Sequence, residues 1–159
     1  MKFSLNAQSL VLSTALLLLC AINGKSQNNQ PAGTPATFVK PLIGTFGEGN
    51  TFPGTVTPFG MIQISPDTED ELWETASGYE YSDSSIIDFS LTHFSGTGIP
   101  DLGDIRFMPQ IGKPWFVEGP KSNPDSGYRA RYSHSDELAS AGYYSVKLKD
   151  NNVRVECAS

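Results

Sequence analysis

Glycine and proline interrupt this chain too often for long helices. Together they fill 26 of 159 positions, 15 and 11 of each, about a sixth of the chain against roughly 12% in average usage. What lies between the breaks is short and often alternates with a period of two, the mark of a half-buried strand. Ile87, Phe89 and Leu91 alternate with Asp88, Ser90 and Thr92. Ile105 and Phe107 alternate with Arg106 and Met108, and Tyr128, Ala130 and Tyr132 with Arg129 and Arg131. Phe59 to Ile64 is a compact apolar run after Pro58. The clearest unit is a hairpin: Tyr144, Val146 and Leu148 alternate with polar residues, Lys149 to Asn152 supply the turn, and Val153 and Val155 resume the alternation. Helix is expected only as one turn over Ser135–Ala141, with Ser135 as N-cap and Gly142 as stop. The sum is an all-β antiparallel fold, a sandwich or a barrel piece.

The first 26 residues stand apart from that pattern. Lys2 precedes a largely apolar run from Leu10 to Ile22, and Gly24-Lys25-Ser26 follows, the layout of a secretory signal peptide. A membrane span needs about 18 or more apolar residues, and this run is shorter and holds Ser13 and Thr14. Cys20 sits where a lipoprotein cysteine would, so a lipid anchor at Cys20 is the alternative, although Leu19 before it is unlike the small residue such signals carry. The expected product is secreted or periplasmic, with a polar linker over 27–37 and one domain over 38–159. Removing residues 1–26 takes away two lysines, so the charge becomes 9 − 17 = −8. That balance excludes a non-specific nucleic-acid binder, which needs cations to displace counterions from phosphate. Cys157 is then the one remaining cysteine. It belongs to the alternating run and reads as a small buried apolar residue.

Tests for familiar chemistry mostly fail. Gly47-Glu-Gly49 and Gly96-Thr-Gly98 begin a dinucleotide fingerprint but lack its third glycine and the helix after it. Two histidines without a Cys/His cluster do not make a zinc site. The acidic run Asp67-Thr-Glu69-Asp70-Glu71 lacks the pattern of a calcium-binding loop and reads as solvated loop. No nucleophile elbow is present, since Ser95-Gly96-Thr97-Gly98 does not fit one. Asp101 and Asp104 could be a glycosidase carboxylate pair, but such residues more often hold turn backbone. The richest stretch is His93 to Asp104, polar and turn-dense at the end of a strand, the kind of loop that carries function. Trp73, Tyr79, Tyr81 and Trp115 add flat faces on which sugars stack, though most such aromatics are core.

Six collinear blocks then carry a resemblance. They are Val39-Lys-Pro-Leu-Ile-Gly-Thr45, Gly49-Asn-Thr-Phe-Pro-Gly54, Pro58-Phe-Gly-Met-Ile-Gln-Ile-Ser-Pro-Asp-Thr68, Ser77-Gly-Tyr-Glu-Tyr-Ser-Asp83, Leu91-Thr-His-Phe-Ser-Gly-Thr-Gly-Ile-Pro-Asp-Leu-Gly-Asp104 and Gly142-Tyr-Tyr-Ser-Val-Lys-Leu148. Their order and spacing resemble the opening of glycoside hydrolase family 92. The resemblance implies an exported, calcium-dependent exo-α-mannosidase, α-1,2-type, that removes terminal mannose from glycans with inversion. It implies a β-sandwich N-terminal domain joined to a larger helical (α/α) barrel domain, absent here, that holds the general acid, the general base and most calcium contacts. On that reading the chain is a fragment of the enzyme, with no catalytic or metal residue of its own. What carries over is a sugar-binding role for Gly49, Asn50, Thr51, Phe52, Trp73, His93, Ser95, Thr97, Asp101 and Asp104. The sequence departs from the family's pattern at Asn50, Glu80 and Leu91, where histidine is common, and at Ile99, where cysteine is. The rival readings are a stand-alone carbohydrate-binding module and a secreted structural domain without a ligand.

Overall fold

The computed structural model describes residues 33–69, 73–96 and 101–159, and residues 33–159 form one compact unit. The expected leader over 1–26 and most of the linker lie outside the described residues. Helical structure among the described residues is confined to single 3-10 turns of three or four residues. No described helix is long and apolar enough to cross a membrane.

Among the described residues seven strands carry the fold: β1 Ser65–Asp67, β2 Ser85–Ile86, β3 Asp88–Ser90, β4 Ala130–Arg131, β5 Glu137–Ser140, β6 Tyr143–Leu148 and β7 Val153–Ala158. All pairings are antiparallel, in three small sheets, β1-β3, β2-β4 and β5-β6-β7. The fold is therefore all-β. Its core gathers Tyr144, Val146, Leu148 and Cys157 from the three-stranded sheet with Ile86, Phe89, Ala130, Tyr132 and Tyr79 from the shorter ladders and their flanks. Apolar burial of this kind contributes about 1.5–3 kcal/mol per large side chain. The β6–β7 hairpin follows the sequence period closely, with Tyr144, Val146 and Leu148 inward and Asn152 turning at φ 50°. Cys157 is buried as expected, and burial pushes its thiol up to about 11.

Other segments depart from expectation. Ser135–Ala141 is not a helical turn: a 3-10 turn at His134–Asp136 runs into β5, and Gly142, at φ 72°, closes a tight hairpin onto β6. The reason is tertiary. Pairing with β6 turns Glu137 inward, where Oε1 accepts the hydroxyls of Tyr79 at 2.8 Å and Tyr144 at 2.7 Å and Oε2 meets His134 Nδ1 at 2.7 Å. Tertiary partners of that strength override a local helix preference. The Phe59–Ile64 run is mostly exposed, with Phe59 and Met61 each 85% accessible. Of Ile105 to Met108, only Phe107 bridges a strand, opposite Phe89. Met108, not Phe107, packs on the core, and Ile105 points out at φ 54°. Residues 85–90 are buried on both faces rather than one, because β2 and β3 pair with different partners, β4 and β1. The acidic run does not begin as solvated loop either. Asp67 ends β1, buried, and Glu69 is ion-paired to Lys121 at 3.2 Å, while Asp70 and Glu71 lie outside the described residues.

Candidate functional site

The β1–β3 ladder sets Ser65 opposite Ser90 and Asp67 opposite Asp88. Three residues after Ser90 the chain turns back, and the His93 ring lies over the ladder it has just left. Its Nε2 is 2.9 Å from Asp67 Oδ1 and 3.0 Å from Ser90 Oγ, and its Nδ1 is 2.7 Å from the Gln63 carbonyl. A carbonyl only accepts, so Nδ1 carries a proton. Nε2 therefore faces both the Asp67 carboxylate and the Ser90 hydroxyl. Gln63 also holds the His93 main chain, its Oε1 accepting the amide N–H at 2.9 Å. Phe52 stacks on the ring, centroids 4.8 Å apart. Gly78, at φ 86°, is required beside this pair, because a Cβ there would run into Asp67 Oδ1.

Next to the pair is a cavity of about 180 Å³, walled by Asp67, Thr75, Ser77, Gly78, His93, Asp101 to Gly103 and Arg106. Asp67 is 4% exposed, yet its Oδ2 has no hydrogen-bond partner among the described residues, and neither has the hydroxyl of buried Ser77. A buried acceptor left open costs about 1–3 kcal/mol. Both residues line the same cavity.

The residues expected from sequence divide into three sets. His93 and Asp101 line the cavity, and Phe52 supports it through His93. Asn50 is buried at φ 46°, and its carbonyl accepts the Gly96 N–H at 2.6 Å, which ties the Gly49–Phe52 segment to the loop after His93. Trp73, 53% exposed, opens the 3-10 turn Trp73–Thr75 that leads into the cavity wall but does not itself line it. The rest serve the backbone or lie apart. Thr51 donates to the Ile43 carbonyl at 2.9 Å, Gly49 packs against the Gly44 backbone, and Ser95 is exposed. Thr97 lies outside the described residues. Asp104 closes the base of the His93–Asp104 loop: its Oδ2 accepts from Thr92 Oγ1 at 3.2 Å and its carbonyl accepts the Leu91 N–H at 3.0 Å. Asp101 Oδ1 takes the Leu102 N–H at 2.8 Å. Both carboxylates thus do the local work of turn residues.

Asp67, Ser77 and Gln63 were not singled out as site residues by sequence. Glu80 was noted only as a departure from the family's pattern. Its carboxylate accepts the Gly47 N–H at 3.1 Å and the Ser82 hydroxyl at 3.1 Å, pinning the Gly47–Gly49 turn that delivers Asn50. The site does not suit calcium, which takes about six to eight oxygens. One free carboxylate oxygen beside a hydroxyl falls short, and Arg106 brings positive charge to the same wall. No group of three or more potential metal ligands occurs among the described residues.

Residues 38–159 match the family model described as the glycosyl hydrolase family 92 N-terminal domain. Among solved structures, a family GH92 α-mannosidase from Bacteroides thetaiotaomicron in complex with mannoimidazole is 51% identical, with a TM-score of 0.75 over 78% of this chain and 16% of that one. A second GH92 glycosyl hydrolase is 31% identical at TM-score 0.59, over 71% of this chain and 14% of its own. A GH92 inverting mannosidase from Bacteroides thetaiotaomicron VPI-5482 is 26% identical at TM-score 0.52, over 76% and 16%. No curated protein gave a match. The chain thus spans about a sixth of the length of the first of these relatives.

Proposed function

The chain belongs to glycoside hydrolase family 92, as its N-terminal domain, and from that footing we propose that it forms one wall of the mannose-binding pocket of an exported α-mannosidase. The enzyme we envisage acts on α-1,2-linked terminal mannose with inversion. Its two catalytic carboxyls, about 6.5–9.5 Å apart in an inverting enzyme, and its calcium ligands belong to a helical barrel domain. The single observation that carries the reading is Asp67, a buried carboxylate with one oxygen unshared on a cavity wall.

In this reading Asp67 Oδ2 and Ser77 accept from sugar hydroxyls. His93 is a positioning residue that fixes Asp67. Asn50, Phe52, Trp73 and the His93–Asp104 loop, with Ser95, Thr97 and Asp101, shape the approach. The exposed apolar side chains at Phe59, Met61 and Ile62 fit a contact face toward the rest of a longer enzyme.

Calorimetric titration of the chain with α-1,2-mannobiose tests this. Saturable binding is expected, weakened about tenfold or more in Asp67→Asn, since a hydrogen bond to a charged group contributes about 1.5–3 kcal/mol. Mannose release in the presence of calcium should be undetectable. Turnover by the chain alone would refute the division of labour, and absence of binding would leave a structural domain without a ligand.

A further inference from the structure

A second cavity, of about 190 Å³, shares no wall residue with the one at Asp67 and lies against the indole of Trp115. Trp115 is 49% exposed, and its indole N–H makes no hydrogen bond among the described residues. Its main chain is nevertheless held in place. Gln110 clasps the loop from both sides, Oε1 accepting the Trp115 N–H at 2.7 Å and Nε2 donating to the Trp115 carbonyl at 3.1 Å. The opposite wall is tied to the same loop by Asn151, whose Nδ2 donates to the Pro109 carbonyl at 3.1 Å. The main chain that carries the indole is therefore fixed before any ligand arrives, which lowers the ordering cost of binding.

The polar groups around the indole select the ligand's chemistry. Lys113 offers a donor, Asp125 an acceptor although its Oδ1 already accepts from Arg131 at 3.2 Å, and Asn151 its amide oxygen. The remaining charges in the wall are already engaged. Arg129 donates to the Thr68 carbonyl and Ser85 and pairs with Glu118, and Asp150 accepts from Arg131. Neither a cation nor an anion finds a dominant unpaired charge here. A neutral ring with one apolar face and a rim of hydroxyls does find its complement, an aromatic platform edged by both donors and acceptors.

We infer that this cleft is a second glycan-binding subsite, taking one hexose ring stacked on Trp115, separate from the pocket at Asp67. The inference rests on the proposed action on mannose glycans, and it gives the chain a grip on a neighbouring branch of the same substrate.

The sequence contains two tryptophans, Trp73 and Trp115, so an indole N–H NMR spectrum reports on each region separately. Adding α-1,2-mannobiose to the full chain should shift the Trp115 indole signal saturably. The shift should persist in Asp67→Asn. Trp115→Ala, which also assigns the signal, should remove that binding event, and Trp115→Phe, which keeps a ring, should weaken it by less than about tenfold. A stationary Trp115 signal while Asp67-dependent binding is seen by calorimetry overturns the subsite and leaves the proposed function intact. A moving Trp115 signal with calorimetric binding insensitive to Asp67→Asn does the reverse. No binding of either kind refutes both. A Trp115 signal that shifts with protein concentration and not with sugar identifies the cleft as a protein contact and also overturns the inference.

Discussion

His93 and His134 each stand between a buried carboxylate and a main-chain carbonyl. His93 reaches Asp67 Oδ1 and the Gln63 carbonyl, and His134 reaches Glu137 Oε2 and the Tyr81 carbonyl. Each ring is also stacked, His93 on Phe52 and His134 on Tyr81 at a centroid distance of 3.8 Å. The difference lies in what is left over. Both oxygens of Glu137 are taken, one by Tyr79 and Tyr144 and one by His134. Asp67 keeps Oδ2 open beside a cavity. A closed polar network stabilises a unique packing, whereas an open one holds binding capacity in reserve at a cost in stability. The number of lone pairs still available distinguishes scaffold from site here more sharply than residue type does.

Replacing the two carboxylates should break this symmetry most visibly. Glu137→Leu leaves two buried tyrosine hydroxyls and the part-exposed His134 imidazole without their acceptor, a loss of about 3–5 kcal/mol. In a domain of this size that lowers Tm by roughly 10 °C or more. Asp67→Asn keeps an oxygen for His93 and should cost about 1–2 kcal/mol while weakening mannobiose binding. Thermal melts of the two variants side by side check the contrast. Equal losses would mean that Asp67 is scaffold too.

Alkali should attack the closed network. Burial pushes the hydroxyls of Tyr79, Tyr132 and Tyr144 well above the usual tyrosine range, and the negative charge of Glu137 adds to it. A group raised in the folded state stabilises it fully below its unfolded value, about 10 for tyrosine, and that contribution is lost as pH climbs beyond it. Phenolate absorbance from these three side chains should therefore appear together with unfolding, not before it. Circular dichroism and ultraviolet absorbance recorded on one alkaline titration give the order. Ionisation of these tyrosines in a folded protein would contradict the network's closure.

Legibility in the sequence followed the range of the forces involved. The β6–β7 hairpin could be read because its alternation and its Lys149–Asn152 turn are both local. β5 could not, because Glu137 faces inward only through Tyr79, 58 residues away, and Tyr144. His93 was visible from its strand phase and its loop. Asp67 was hidden inside an acidic run whose composition reads as solvent-facing, and it is buried by the pairing of β1 with β3 and the return of His93 over them. Asp104 shows a different limit, since the sequence does not tell that its carboxylate bonds Thr92 across the base of its own loop.

The weakest effect is expected where the same pairing lies near solvent. Asp150 accepts from Arg131, main-chain N–H at 2.6 Å and Nε at 2.8 Å. Burial pushes the Asp150 carboxyl up, but the hydrogen bonds and charge of Arg131 outweigh it and hold the group below the usual carboxylate range. The Arg131 side chain is half exposed, so water and salt screen the pair and its contribution is below about 1 kcal/mol. A group lowered in the folded state stabilises it above the unfolded value, about 3.9 for aspartate, and loses that contribution as pH falls through the folded value. Asp150→Asn should therefore shift the urea midpoint slightly at neutral pH, and wild type and variant should converge in acid. A gap of constant size from neutral pH into acid would mean that the pair acts through shape and hydrogen bonding alone, and that charge matters in this fold only where water is excluded, at Glu137 and Asp67.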